Sequence, residues 1–397
     1  MPLNAFYGFP PAVVKSQPRS KITSLWNDAA ISHSYRSGVS LHSHTSMSEE
    51  TMTFVHKFLG LLPGLQHIFA HYDRKSRSNG FQLDFVRGNW RPPLVPAMAY
   101  ELESKQIEQQ GLQALVSITD HDTIAAPQLL RNVPSARGIP VSMEWTVPYG
   151  PTEFHLGVHN LPSADAYAWT DRLNAFTAAP SPEALRSILH ELDELPGVLT
   201  VFNHPVWDLH KIGAGLHRRE VFRFLESFSP CIHAMELNGL RDARENREVA
   251  QLARETGHLL LSGGDRHGTE ASACINLSGA RNFREFVDEI RVERRSHVLF
   301  MDQYKRPWQE RILHSTLDAV TDFPEFPEGW QRWDDRAFHP DRDGVMRPLR
   351  QLWEGGAAPW PLRAAIQFVR MGRSQAFSRT FALAVPGVNA AAEMELL

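Results

Sequence analysis

Short apolar runs recur along this chain, and nearly every one ends in a histidine, aspartate or glutamate. The runs cover residues 38–41, 112–119, 139–143, 153–159, 197–202, 232–237 and 259–261. Most are separated by segments of helical character, such as 96–110, 181–194 and 242–256, and Gly111 and Gly257 stop the first and last of these. Such alternation predicts an α/β fold in which parallel βαβ units close into a barrel. In barrels of this kind, side chains at the C-terminal ends of the strands share one rim, and chemistry concentrates there. Residues far apart in the chain are therefore expected to meet.

The residues at those ends are metal-ligand types. After 259–261 come Gly263, Gly264, Asp265, Arg266 and His267, and after 38–41 come His42 and His44. On an extended backbone, positions i and i+2 point to the same side, so each pair presents two donors together. The two glycines remove side chains where the strand meets its loop. Asp120-His121-Asp122, Glu144, His155 and His204 close or lie on other runs. With 19 histidines, chance pairs are expected, and a single buried histidine usually packs in a core. The repeated placement at strand ends favours ligation. Only two cysteines are present, so any metal must be held by His, Asp and Glu. By contrast, His67 and His71, Asp208 and His210, and His159 read as structural.

Four stretches, Leu41-His42-Ser43-His44-Thr45, Ile118 to Thr123, Asn203-His204-Pro205 and Gly263 to Gly268, resemble the PHP (polymerase and histidinol phosphatase) superfamily of metal-dependent phosphoesterases over roughly residues 38–300. The resemblance implies a distorted (β/α)7 TIM-like barrel of the PHP type holding two or three divalent ions (Zn, Mn or Fe). His42, His44, Glu144 and Asp265 would hold one ion. Glu144 would bridge to a second held by His155 and His204. A third would use His121 and His267 with a ligand from just after the first strand, where Glu49 or Glu50 is offered. Asp120 would support these ligands from behind. Glu144 and Asp265 would carry the chemistry, and Arg266 is the candidate phosphate clamp, because a guanidinium binds two phosphate oxygens at once.

Residues 1–37 read as an irregular arm, 38–305 as the barrel with a helical insertion at about 46–93, and 306–397 as a packing extension. That extension includes a basic amphipathic segment from residue 360 and a loop-like stretch at 318–345. The net charge of −4 disfavours a general nucleic-acid surface. The first residues lack a secretory pattern, and no apolar stretch is long enough to span a bilayer, so a cytoplasmic protein without membrane contact is expected. The insertion is a candidate lid or homo-oligomer surface. The reading is a hydrolase of a small phosphomonoester or nucleotide. The alternatives are a 3′–5′ exonuclease on short oligonucleotides, with Trp207 stacking a base, an amidohydrolase, and a non-catalytic metal-binding regulatory module.

Overall fold

The computed structural model describes residues 19–52, 74, 86–353, 356–358 and 360–371. Residues 53–73, including His67 and His71, lie outside the described residues. No described helix is long and apolar enough to cross a membrane.

Two five-stranded sheets carry the fold. The first runs in the order β1 (Arg19–Ser24), β12 (Arg295–Phe300), β11 (Cys274–Ser278), β2 (Ser37–Ser40) and β5 (Gln113–Val116). The second runs β10 (Leu259–Gly263), β9 (Ala234–Asn238), β8 (Leu199–Asn203), β7 (Thr152–His159) and β6 (Met143–Tyr149). Strands β8, β9 and β10 are buried along their whole length, in keeping with their largely apolar sequences. Pairing does not run through one continuous ladder. Instead, the sheets meet at two isolated bridges, Ser43 with Arg266 and His121 with Glu144, both beside the predicted ligands.

Parallel pairing joins β2 to β5, β8 to β9, β9 to β10 and β1 to β12. The expectation of parallel βαβ units throughout fails at β6, β7 and β8, which are antiparallel neighbours. Between β6 and β7 the chain has only Gly150 and Pro151, with Gly150 at φ +57°, and so short a link permits only a hairpin. Between β7 and β8 the two helices α3 (Ala166–Ala178) and α4 (Pro182–Glu194) return the chain to the end it left. The third predicted strand also differs, since it begins at Met143 instead of ending at Glu144. Strands β11 and β12 escape the sequence pattern because they are short and carry polar residues. Part of the expected arm is strand β1, an edge strand whose exposed Arg19 and Lys21 disguise it.

Helices start and stop where their capping residues dictate. Ser181 accepts from Ala184 N ahead of α4, and Asp242 accepts from Glu245 N ahead of α6 (Ala243–Thr256), which Gly257 ends in the left-handed conformation. Helix α1 (Pro96–Glu108) fits its predicted span and buries Glu103 against the first sheet.

A small antiparallel sheet joins the two segments outside the pair of five-stranded sheets. Its order is β14 (Met346–Pro348), β13 (Ala337–Pro340), β4 (Asn89–Trp90) and β3 (Glu50–Thr51). The ends of the insertion therefore pair with the C-terminal extension around Met52, Trp90, Leu349 and Trp353. The stretch read as loop-like thus contains strand β13, and α11 (Trp360–Met371) covers the start of the basic amphipathic segment.

Gly264 is required by packing: a Cβ there would collide with the Ser272 side chain and lie 2.9 Å from the His42 carbonyl oxygen. A backbone carbonyl cannot rotate away. Gly264→Ala is expected to destabilise the protein by about 2–3 kcal/mol, read from the midpoint of denaturant unfolding. An unchanged midpoint would mean that the loop has room this geometry denies it.

Candidate metal centre

The strand ends and their loops deliver a single buried cluster. His42 and His44 follow β2, His121 follows β5, His204 follows β8, and Asp265 and His267 follow β10, while Glu144 and His155 lie on the β6–β7 hairpin. Asp265 (φ +50°) and His204 (φ +29°) sit in the left-handed backbone region. That conformation costs a non-glycine residue about 1–2 kcal/mol, which the surrounding structure must offset.

Glu144 occupies the centre. Its Oε2 lies 3.0 Å from His42 Nε2 and 3.3 Å from both His44 Nε2 and His121 Nε2. Its Oε1 lies 3.3 Å from His204 Nε2 and 3.4 Å from His155 Nδ1, and accepts from Asn203 Nδ2 at 2.9 Å. Asp265 Oδ1 flanks this core, 3.8 Å from His42 Nε2, 3.7 Å from His44 Nε2 and 3.5 Å from His267 Nδ1. On the other side, Glu50 Oε2 lies 3.2 Å from His267 Nε2 and 3.5 Å from His121 Nε2, with Glu50 Oε1 3.5 Å from His44 Nδ1.

These atoms fall into three sets, each within 4.8 Å: His44, Glu50, His121 and His267; His42, His44 and Asp265; His121, Glu144 and His155. The donor set fits divalent cations. His42 Nε2 and His44 Nε2 face each other at 3.0 Å, so at most one can donate to the other. The buried His155 Nδ1 has no hydrogen-bond partner. Imidazoles and carboxylates converging in a desolvated space could hold divalent cations.

The structure places two predicted residues elsewhere. Glu49 points outward, its side chain 57% exposed, and accepts from Arg91 Nη2 at 2.7 Å and Asn89 Nδ2 at 3.1 Å. Its neighbour Glu50, the first residue of β3 and paired with Trp90, faces the cluster instead. Arg266 is corrected as well. Its Nε donates to Glu103 Oε1 at 2.9 Å, its Nη1 to the Gly268 carbonyl at 2.8 Å and its Nη2 to the His44 carbonyl at 3.0 Å. With every nitrogen engaged and the residue buried, it braces the two loops that carry His44 and His267 and is not free to clamp phosphate. Asp120 accepts from Thr45 N at 2.5 Å and Thr45 Oγ1 at 2.7 Å, fixing the first loop from behind. His159 bonds Ser117 within the core, and Asp208 caps backbone amides in its own loop.

Other supporting residues were not assigned roles from the sequence. Glu236 Oε1 lies 2.5 Å from His42 Nδ1, and its Oε2 accepts from His204 N and Asn238 Nδ2. Asn238 Nδ2 also reaches Asp265 Oδ2 at 3.2 Å, and Arg241 Nη2 lies 3.4 Å from the same oxygen. The Arg241 guanidinium sits 3.7 Å over the Trp207 ring. The i, i+2 spacing of Glu236 and Asn238 on β9 was the available signal, the same spacing as in the two ligand pairs.

Burial depresses a histidine's basicity, but neighbouring carboxylates reverse the effect at several positions. Glu144 and Glu236 hold His42 well above its ordinary value. Glu50 and Glu144 lift His121 to about 10, and Glu144 lifts His155 to about 9. His44 goes the other way, to about 3, through burial and the nearby His267. Burial alone would raise Glu144, yet His42, His121 and His155 pull it well below the usual carboxylate range.

No family model matches the chain, and no curated protein matches it. Solved structures do. An amidohydrolase from Chromobacterium violaceum, with bound sulfate and no metal, is 16% identical, covering 45% of this chain and 84% of its own with a TM-score of 0.31. PsfC from Pseudomonas syringae is 14% identical, covering 55% and 88%, with a TM-score of 0.37. A candidate metal-dependent phosphoesterase from Bifidobacterium adolescentis is 13% identical, covering 48% and 85%, with a TM-score of 0.29. At these scores the functional case stands on side-chain geometry.

The folded values of His121 and His155 exceed the ordinary 6.5, so their ion pairs stabilise the metal-free protein fully below pH 6.5 and are lost as pH rises through about 9 to 10. Cation binding must displace the same protons. Adding zinc or manganese to metal-free protein in weak buffer at neutral pH is therefore expected to release protons, with apparent affinity rising with pH. Binding with no proton release would contradict these charge states.

Proposed function

We propose that the chain is a metal-dependent phosphoesterase that hydrolyses a small phosphomonoester or nucleotide. The carrying observation is Glu144, a buried carboxylate whose two oxygens are divided among five imidazoles and flanked by Asp265 and Glu50. His42, His44, Glu144 and Asp265 would hold one cation, Glu144, His155 and His204 a second, and Glu50, His121 and His267 a third. Bound divalent ions would supply acidified water and positive charge for the phosphoryl oxygens.

The chain's own residues do the positioning. Glu236 fixes the His42 ring through Nδ1 and leaves Nε2 for the cluster. Asn238 and Arg241 hold one oxygen of Asp265, which turns the other toward His42 and His44. Glu153 Oε1, 3.4 Å from His155 Nε2, orients that ring from the pocket wall. Arg241, and not Arg266, is the fixed guanidinium beside Asp265 and the natural partner for a phosphoryl oxygen. Because Arg241 covers one face of Trp207, that ring is a poor platform for a stacked base, which favours a small ester over an oligonucleotide.

Two outcomes test this reading. Chelation should abolish hydrolysis of small phosphomonoesters, with activity restored by zinc, manganese or iron. Glu144→Gln should lower kcat by about a thousandfold or more while the protein stays folded, because one substitution touches more than one cation position. Full turnover by Glu144→Gln would dismiss the cluster as the reaction centre. In a second comparison, Glu50→Gln should reduce the metal bound per chain, measured by elemental analysis, while Glu49→Gln should not.

A further inference from the structure

Beside His267 lies a cavity of about 230 Å³, enclosed by the loop of residues 264–273, the start of the β9–α6 connection and helix α8 (Trp308–Ala319) of the C-terminal extension. His267 connects it to the candidate metal centre, and Arg306, Arg311, His314, Glu270 and Asp318 are among its lining residues.

Its acids are already engaged. Glu270 pairs with Arg306, and Asp318 accepts from Thr269 N at 2.6 Å and from Thr269 Oγ1 at 2.9 Å. Arg311 is different. It is 5% exposed, stacks 4.0 Å over Tyr304, and donates to the Gly239 and Arg241 carbonyls. Among the described residues no carboxylate lies within ion-pair distance of it, and its Nε has no hydrogen-bond partner. A buried guanidinium with neutral partners only is costly unless an anion completes it. The walls are also fixed in advance, since Asp318 pins the His267 loop and Arg311 pins the loop that carries Arg241.

We propose that this cavity is a leaving-group subsite for an anion, so that the preferred substrate is a phosphate ester whose alcohol portion bears a carboxylate or a second phosphate. The inference rests on the phosphoesterase reading. In the reaction, water adds its oxygen to phosphorus as the ester P–O bond breaks, giving inorganic phosphate. The leaving oxygen takes a proton and departs as an alcohol that still carries its anion. The extension would thereby set specificity, with Arg306, Arg311 and His314 reading the end of the substrate away from the reacting phosphorus.

The test uses the full chain loaded with zinc or manganese and two matched series, n-alkyl phosphates and ω-carboxyalkyl phosphates of equal length. The wild type should favour the best carboxylated ester by about tenfold or more in kcat/KM. Arg306→Ala and His314→Ala, both at partly exposed positions, should erase that preference and leave the n-alkyl phosphates unchanged. Arg311→Met should erase the preference as well; because Arg311 also holds the Arg241 carbonyl, only the ratio between the two series is read for this variant, with its melting temperature measured alongside. If the wild type shows no preference, or if the two exposed variants slow both series alike, the subsite is overturned while the phosphoesterase stands. If the wild type cleaves neither series, both readings fall.

Discussion

A carboxylate removed from water is the constraint around which this structure is built. Glu144 is 1% exposed and would be untenable as an isolated charge. Imidazoles on four other segments surround it, and some of them hold protons that solvent alone would not leave there. The same proximity explains why a cation belongs among them. A divalent ion neutralises carboxylate and lone-pair repulsion together, whereas the protonated histidines neutralise only the first. Protonated histidines balance the Glu144 charge in part, and the donors converging on it could accept a divalent ion.

Holding so many mutually repelling groups together requires rigidity beyond the ring of ligands. Glu236 reaches His42 from beneath, and the absence of a side chain at Gly263 is what makes room for it, since a Cβ there would overlap the Glu236 carboxylate. Arg266 ties the His44 and His267 loops to Glu103 on helix α1. The positive φ values at His204 and Asp265 are then local costs carried by a well-braced surround. None of these braces touches substrate in the proposed reaction, yet each determines where a ligand atom lies.

Much of the centre was legible because ligation demands particular side chains at period-2 spacing on strands, and that signal survives in the linear sequence. His42 with His44, Asp265 with His267, and His204 converge from strand ends, while Glu144, near the start of β6, and His155, within β7, reach the same cluster from the hairpin. The choice between Glu49 and Glu50 is not legible, because it depends on where the two-residue strand β3 begins. That is decided by pairing with Asn89 and Trp90, some forty positions later. Arg266 was misread for a related reason: sequence shows what a guanidinium can bind, but not that Glu103 and two carbonyls already bind it. Strand polarity failed where topology depends on connection length, as at the Gly150-Pro151 hairpin.

The pairing of Glu50 with Trp90 also changes what the outer segments are. From sequence, the insertion is a candidate lid or homo-oligomer surface and the C-terminal extension a packing appendage. In the structure, β3 and β4 from the insertion join β13 and β14 from the extension in one small sheet, and that sheet aims Glu50 at His121 and His267. The extension then reaches the same loop by a second route, through Asp318 and Thr269. A body that supplied only the first two ligand sets would need neither contact. The insertion and the extension are therefore bound up with the Glu50, His121 and His267 group and with the cavity beside it, where the proposed leaving-group end would be read.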